Sequence, residues 1–414
     1  PSAVAGLDTA DPEVARLRAE EFERLAAEVA RLKAEGASKE AIRPAVDRLL
    51  QLKAEHRAST RRKKGEPRKR RRQAEPAATA GYSHYPERVD RLPADPEDLG
   101  FAAGFDPETE PEAAAAFLAE WGYVVFRGVL SSAECAATRA EIFGHVAAAN
   151  PEFAVDRPES WGCLSSKTYG LPQQQAFFSP ELLANRQRPR VLAALRAALG
   201  TDRFLVSHDR FCTYRPTAEH PEWRTRENLH LDLHPWKFRA GDTAIEELRY
   251  IDDVDFITEI NSAVHSTGPH VQGVLNLLDN TADDGGTLVV PRFPERFECW
   301  AAALGAVEDN HEEQTASHVV ERRQGGGSYK FALDDPIYEL AHRVPLREGS
   351  LLLWDQRTVH GSQPNASARW RVAQFLRAFR SEHMTAARAE ARAAAVLDRV
   401  TRSGTLEQLT PEGR

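Results

Sequence analysis

The chain has 414 residues, of which 42% are hydrophobic and 28% charged, a composition that predicts a globular protein with one large core and an accessory module. A net charge of -8 argues against binding nucleic acid over the whole surface, and no apolar run approaches the length that a bilayer requires. The four cysteines are far apart and form no CxxC pair, so neither a thiolate metal site nor a disulfide framework is expected.

The first predicted element is a helical hairpin over residues 12 to 58, because apolar residues recur there with the helical period before and after the sequence EGAS. Gly36 can end the first helix and Ser38 can cap the second, although Pro44 is a poor residue for a helix interior. The turn RLKAEGASKE and the second helix AVDRLLQLKAEH resemble a WHEP domain of eukaryotic aminoacyl-tRNA synthetases. That resemblance implies binding of RNA or of a tRNA-related protein. A hairpin used only for self-association is the alternative.

A basic segment, RASTRRKKGEPRKRRRQ, follows at residues 57 to 73. Its charges repel one another and nothing apolar is available to bury, so residues 59 to 100 are predicted to form a disordered linker. The basic residues can neutralise phosphates without reading a base sequence, or act as a nuclear import signal. A merely solvated linker is the alternative. We therefore expect any affinity for RNA to reside in residues 12 to 73.

Residues 101 to 385 are predicted to form the larger domain. Helical EPEAAAAFLAEW leads into the buried-strand pattern GYVVFRGVL and then into a helix capped by Ser131 or Ser132. Short strand-like runs with turns between them continue as far as RWRVAQFLRAF. This pattern is typical of an antiparallel barrel or a two-sheet jelly roll, so the predicted fold class is mainly β with helical support. Residues 386 to 414 are predicted to be a C-terminal helix or tail.

The sequence NLHLDLHPW sets His230 and Asp232 on alternate positions of a predicted strand, so both side chains project to one face. His360, at the end of the apolar run SLLLWDQRTVH, can supply a third ligand. Two imidazoles and one carboxylate on one face of an octahedron leave three positions open, as in non-haem Fe(II) oxygenases. The HxD pattern alone is a weak signal. The alternative is a polar strand face whose histidines hydrogen-bond to the backbone.

Basic residues after His360 strengthen the metal-site interpretation, because HGSQPNASARWRV supplies Arg369 and Arg371 on an adjacent predicted strand. An arginine guanidinium is the natural partner of a remote carboxylate. The alternative role for these arginines is ion pairing on the surface. Strand parity does not distinguish Arg369 from Arg371, because both have the same parity. The segments HLDLH, LLDNTADDGGTLVVP and REGSLLLWDQRTVHGSQPN together resemble the phytanoyl-CoA dioxygenase family of Fe(II)/2-oxoglutarate oxygenases. The resemblance spans roughly residues 115 to 380.

This resemblance implies a double-stranded β-helix (jelly-roll) core with iron bound by His230, Asp232 and His360. It also implies that Arg371, eleven positions after His360, binds the far carboxylate of 2-oxoglutarate together with Ser362. The eleven-residue spacing is what selects Arg371 over Arg369.

Other candidates near the predicted site are less specific. Gln272 and Asn276 lie on one face of the predicted strand HVQGVLNLLDN and can line the cosubstrate pocket, with ordinary strand polar groups as the alternative. His234 shares the parity of the two ligands before it but is not a ligand in the family motif. We expect it to line the pocket or to have a plain structural role.

Together these features predict an Fe(II)/2-oxoglutarate-dependent dioxygenase that hydroxylates a small-molecule or lipid-like substrate, with ascorbate as a supporting reductant. A catalytically inactive jelly-roll scaffold that binds RNA or protein is the alternative, and the complete ligand set argues against it. A nucleic acid or ribonucleoprotein substrate delivered by the hairpin is a further alternative. Because the first residues include Asp8, Asp11 and Glu13, which suit no targeting peptide, we expect a cytoplasmic or nuclear protein.

Overall fold

The computed structural model describes residues 84 to 174, 176 to 233, 235, 270 to 304, 329 to 381, 386 to 411 and 413, with five isolated positions before them. Those five positions are helical: Arg24, Glu28, Arg31, Pro44 and Arg48. The remainder of the predicted hairpin, the basic segment and His234 lie outside the described residues. The chain divides into two compact units, Pro1–Ala77 and Ala78–Arg414, and the following description concerns the second.

The described part of the second unit contains the two predicted helices before and after the first strand, and also three helices that the sequence analysis did not predict, Pro180–Asn185, Pro189–Leu199 and Phe293–Ala303. Its helices are α1 (Pro111–Trp121), α2 (Ser132–Ala149), α3 (Pro180–Asn185), α4 (Pro189–Leu199), α5 (Phe293–Ala303) and α6 (Ala386–Arg402). Its strands are β1 (Tyr123–Phe126), β2 (Phe204–Val206), β3 (Phe211–Tyr214), β4 (Asn228–Leu231), β5 (Val271–Asn276), β6 (Gly286–Val289), β7 (Tyr329–Lys330), β8 (His342–Arg343), β9 (Leu351–Asp355), β10 (His360–Gln363) and β11 (Arg371–Arg380). None of the described helices combines the length and the apolar character needed to cross a membrane.

The helical lead-in forms for local reasons. Pro111 lies in the first turn of α1, where its missing N–H costs no hydrogen bond, and Gly122 ends the helix in the left-handed conformation with φ of 76°. Ser131 is the residue that caps α2, because its hydroxyl accepts from the backbone N–H of Glu134 while the Glu134 carboxylate accepts from the backbone N–H of Ser131. The chain between these helices is β1.

Two antiparallel sheets form the centre of the described part of the unit, with the helices packed around them, so the prediction of a mainly β fold with helical support is confirmed. The first sheet has the order β1-β9-β5-β11-β2, and β3 also pairs with β11. The second sheet has the order β7-β4-β10-β6-β8. Neighbouring strands in each order are far apart in the chain, and the crossovers between sheets bring distant segments side by side.

The central strands of the first sheet are buried on both faces. In β9, Leu351 and Leu353 join the core cluster that contains residues of α1, α2 and α4, whereas Leu352 and Trp354 join the cluster on the opposite face. This double burial explains why SLLLWDQ is continuously apolar and not alternating. Each leucine fully buried in this way contributes about 1.5–3 kcal/mol to folding. The second sheet is shorter, and one of its faces packs against α5 through a third cluster.

Candidate metal centre

The candidate metal centre lies where β4 and β10 run side by side in the second sheet. His230 on β4 and His360 on β10 are direct cross-strand partners, and Asp232 immediately follows β4. One ligand atom from each of the three residues lies within 4.8 Å of the others. The leucines between them hold the strand in this orientation, because Leu229, Leu231 and Leu233 are all buried in the third core cluster. The period-2 alternation therefore points the polar side chains the other way.

Hydrogen bonds on the far side of each imidazole orient the two rings. His360 Nδ1 donates to the backbone carbonyl of Thr358 at 3.0 Å, and His230 Nδ1 lies 3.1 Å from Oδ1 of Asn228. With Nδ1 protonated, Nε2 of each ring is the nitrogen that can bind a metal. These Nε2 atoms face Asp232, with His230 Nε2 3.6 Å from Oδ1 and His360 Nε2 3.8 Å from Oδ2.

The electrostatic surroundings keep two of these groups in the form that binds metal. Burial, followed by the nearby His360, lowers the pKa of His230 to about 3, so its imidazole is neutral at neutral pH. Burial alone raises the pKa of Asp232, but the positive charge of Arg377 and a hydrogen bond to His360 outweigh it, and the net pKa lies well below its usual range. A neutral imidazole and an ionised carboxylate are the forms required for metal binding.

The Asp232 carboxylate also accepts hydrogen bonds from the first sheet. Oδ2 accepts from Gln272 Nε2 at 3.1 Å and from Arg377 at 3.0 Å. Gln272 was predicted to line the cosubstrate pocket, and the structure directs its amide to the candidate iron ligand. Its Oε1 in turn accepts from Trp354 Nε1 at 3.0 Å, which fixes the direction of the amide.

At the other end of the site, Arg371 is buried and has a spare donor. Its guanidinium lies near Cys212 Sγ at 3.3 Å and Thr287 Oγ1 at 3.4 Å, and it covers the ring of Tyr214 with 4.9 Å to the centroid. Its Nε has no hydrogen-bond partner, and no described residue forms an ion pair with it. A buried cation without a counter-charge is costly unless an anion binds there.

A second guanidinium, that of Arg343, lies close enough to Arg371 to feel its charge. Burial, followed by the charge of Arg371, lowers the pKa of Arg343 to about 9. Ser362 on β10 hydrogen-bonds to the Tyr214 hydroxyl on the same side of the site. The carboxylate of a dicarboxylic cosubstrate fits the donors of this region in charge and in hydrogen-bonding type.

A cavity of about 500 Å³ joins both ends of the site. Six of the seven predicted site residues line it: His230, Asp232, Gln272, His360, Ser362 and Arg371. Apolar and aromatic residues form much of the remaining wall, among them Leu171, Phe331, Phe375 and Leu376. The size and the mixed lining are those of a small-molecule pocket.

Two residues near this cavity have other roles in the structure. Asn276, predicted to line the cosubstrate pocket, lies outside it, and its amide donates to the carbonyls of Leu278, Leu346 and Arg347. Because β5 ends at Asn276, the chain turns there and the amide ties the turn to the segment between β8 and β9. Arg369 lies before β11 and pairs with Asp284 at 2.6 Å, so it does not share the environment of Arg371.

Arg377 is a site residue that the sequence analysis missed. It follows Arg371 by six positions on β11, and the even spacing puts both side chains on the cavity face. That parity was readable from RWRVAQFLRAF. What the sequence does not contain is the distance between Arg377 and Asp232, because Arg377 lies on the first sheet and Asp232 follows a strand of the second.

Comparisons with known proteins show what the chain is similar to. A family model described as phytanoyl-CoA dioxygenase matches residues 118–373. A Dictyostelium discoideum protein named for the phytanoyl-CoA dioxygenases is 32% identical over 273 residues, 64% of this chain and 74% of that protein. The solved structure of the α-ketoglutarate-dependent carbocyclase SnoK from nogalamycin biosynthesis is 18% identical, with 68% of this chain and 88% of SnoK covered and a TM-score of 0.37. EctD from S. alaskensis with 2-oxoglutarate and 5-hydroxyectoine is 15% identical, with 72% and 87% covered and a TM-score of 0.39.

Proposed function

Since this chain belongs to the phytanoyl-CoA dioxygenase family, we propose that it is an Fe(II)/2-oxoglutarate-dependent hydroxylase acting on a small organic substrate. Fe(II) and 2-oxoglutarate are the cofactors of the family, and the described residues fit both. We further propose that the two antiparallel sheets form a jelly-roll core and that residues 101 to 385 make up the catalytic domain.

One observation carries the proposal. A single cavity is lined both by two imidazoles and a carboxylate within 4.8 Å of one another and by a buried arginine that has no anionic partner among the described residues. Two histidines and one carboxylate form the ligand set that suits non-haem Fe(II) oxygenases, and the arginine matches the far carboxylate of 2-oxoglutarate. A structural histidine cluster would require neither the arginine nor the open cavity.

The roles of the residues follow from this arrangement. His230, Asp232 and His360 would hold the iron, and Arg371 with Ser362 would hold the far carboxylate of 2-oxoglutarate. When bound, the iron and the 2-oxo acid supply the oxidative chemistry, in which dioxygen gives one oxygen atom to succinate as CO2 is released and the other to the substrate as a hydroxyl group. The protein orients the reactants and excludes water through the apolar part of the cavity wall.

The test uses the purified full chain under anaerobic conditions. Addition of Fe(II) and 2-oxoglutarate should produce the visible metal-to-ligand charge-transfer band of a chelated 2-oxo acid, and admission of oxygen should then yield succinate. Asp232→Ala should abolish both signals. Asp283→Ala is the matched control, because Asp283 is exposed and does not line the cavity. Absence of the band in the unmodified chain would falsify the assignment of the site and favour the inactive scaffold.

The proposal extends to the N-terminal residues. Residues 12 to 73 are proposed to associate with RNA or with a tRNA-related protein, and the support is the WHEP-like sequence together with the basic run at residues 57 to 73. Such a module would bring the catalytic domain to a particular location or partner, whereas the cavity by itself suits a small molecule.

A further inference from the structure

We propose that Arg377 and Gln272 act as a positioning pair that keeps Asp232 a single-oxygen ligand of the metal, an inference that rests on the proposed function. The pair lies on the first sheet and the metal ligands lie on or beside the second. Arg377 on β11 and Gln272 on β5 are direct cross-strand partners. The second sheet contributes its own cross-strand pair, His230 and His360. Asp232 lies between this pair and the pair formed by Arg377 and Gln272.

The donors converge on one oxygen of the carboxylate. Gln272 Nε2 at 3.1 Å and the Arg377 guanidinium at 3.0 Å both donate to Oδ2 of Asp232. Oδ1 receives no hydrogen bond from any residue that the structure describes, and it lies 3.6 Å from His230 Nε2. Oδ2 lies at a similar distance from the other imidazole, 3.8 Å from His360 Nε2, but it carries both donors. Oδ1 is therefore the oxygen whose lone pairs are available to a metal.

Both donors are themselves held in place. Gln272 accepts from Trp354 Nε1, which directs its NH2 group toward Asp232. Arg377 also lies 3.7 Å from the buried carboxylate of Asp209, and that carboxylate accepts from the backbone N–H of Arg210 at 2.6 Å. Simple neutralisation of Asp232 would require the arginine alone. Here a neutral amide and a cation both donate to the same oxygen, which indicates that these two donors fix the orientation of the carboxylate.

The orientation matters because of the number of coordination positions. Three protein ligands leave three positions on an octahedral ion, two for the chelating 2-oxo acid and one for dioxygen. If Asp232 bound through both oxygens, it would occupy one of these three. Donors on Oδ2 would hold that oxygen away from a bound ion and would keep the third position available.

The test counts water molecules on Mn(II) bound in place of Fe(II), by the relaxation rate of the water protons. The unmodified full chain with Mn(II) should show three exchangeable positions and should retain about one after 2-oxoglutarate binds. In Arg377→Met and in Gln272→Leu, the relaxation enhancement should fall by about a third with Mn(II) alone and should nearly vanish with 2-oxoglutarate. The affinity for 2-oxoglutarate should change less than the rate of succinate formation.

Arg380→Met is the matched control, because Arg380 lies on the same strand but does not line the cavity. Its relaxation rates should equal those of the unmodified chain. Arg377→Lys keeps the charge with a compact donor and should restore part of the water signal. If both Arg377→Met and Gln272→Leu retain the unmodified water signal in the presence of 2-oxoglutarate, the inference is overturned. If the unmodified chain shows no fall in relaxation on adding 2-oxoglutarate, the proposed function itself fails.

Discussion

His230 and His360 are direct partners across β4 and β10, with their ring centroids 4.4 Å apart. Their approach depends on Gly361, the next residue on β10, because a Cβ at this position would overlap the backbone carbonyl of Asn228. The separation of the two strands at the candidate metal centre is therefore set by a residue without a side chain.

The first prediction concerns Gly361→Ala. The added methyl group should force β10 away from β4, weaken Co(II) binding at least tenfold and lower the free energy of unfolding by about 1–3 kcal/mol. Calorimetric titration with Co(II) and urea denaturation measure the two effects. Gly144→Ala is the control, because a Cβ there meets nothing within 4 Å and alanine favours the helix α2. Unchanged Co(II) affinity in Gly361→Ala would contradict this account of the strand spacing.

The second prediction separates two neighbouring arginines. Arg371→Gln should weaken 2-oxoglutarate binding by about 10- to 100-fold, since it removes a charged partner of the far carboxylate. Arg369→Gln should leave that affinity unchanged and reduce stability, because it leaves the fully buried Asp284 carboxylate without its ion pair. Titration of the charge-transfer band under anaerobic conditions measures the affinities, and thermal unfolding measures the stabilities. Equal loss of 2-oxoglutarate affinity in the two variants would argue that Arg369 also contacts the cosubstrate.

The third prediction concerns pH. The pKa of His230 falls to about 3 in the folded protein from 6.5, so between these values the unfolded chain binds the extra proton. The stability of the metal-free protein should therefore fall as the pH decreases from 6.5 toward 3, by about 1.4 kcal/mol per pH unit from this group. Asp232, whose folded pKa is also depressed, adds to the loss at the acidic end of the range.

His230→Asn should remove the part of this pH dependence that comes from the imidazole. Urea denaturation of the metal-free unmodified chain and of the variant at pH 7, 6, 5 and 4 provides the comparison. The curve of the variant should be flatter between pH 6 and pH 4. Parallel curves would mean that His230 does not titrate differently in the folded and unfolded states.

The fourth prediction concerns the division of labour along the chain. Deletion of residues 1 to 80 should abolish binding to RNA and should leave the slow formation of succinate without substrate nearly unchanged. In the full chain, binding should weaken steeply with added salt, because neutralisation of phosphates by the basic segment releases counterions. Filter binding over a series of salt concentrations measures both. If the truncated chain still bound RNA with the same salt dependence, the RNA-binding site would have to lie in the catalytic domain.

Local pattern was sufficient for several features of this protein. The alternation in LHLDL puts His230 and Asp232 on one face, because successive residues of a strand point in opposite directions and the leucines take the buried face. The cap at Ser131 and the helix end at Gly122 are likewise encoded within a few residues. Each of these depends on interactions between residues close in the chain.

The tertiary structure alone decided which distant residues meet. Arg369 and Arg371 have the same strand parity, yet one pairs with Asp284 and the other is buried in the cavity, because β11 begins only at Arg371. Asn276 and Gln272 share a face of β5, but the turn after β5 engages the Asn276 amide. Arg377 reaches Asp232 across 145 positions of sequence. Such contacts depend on strand register and on the packing of the two sheets. The free energy that fixes the register and the packing comes from burial shared among distant strands. No single segment of the sequence therefore determines these contacts by itself.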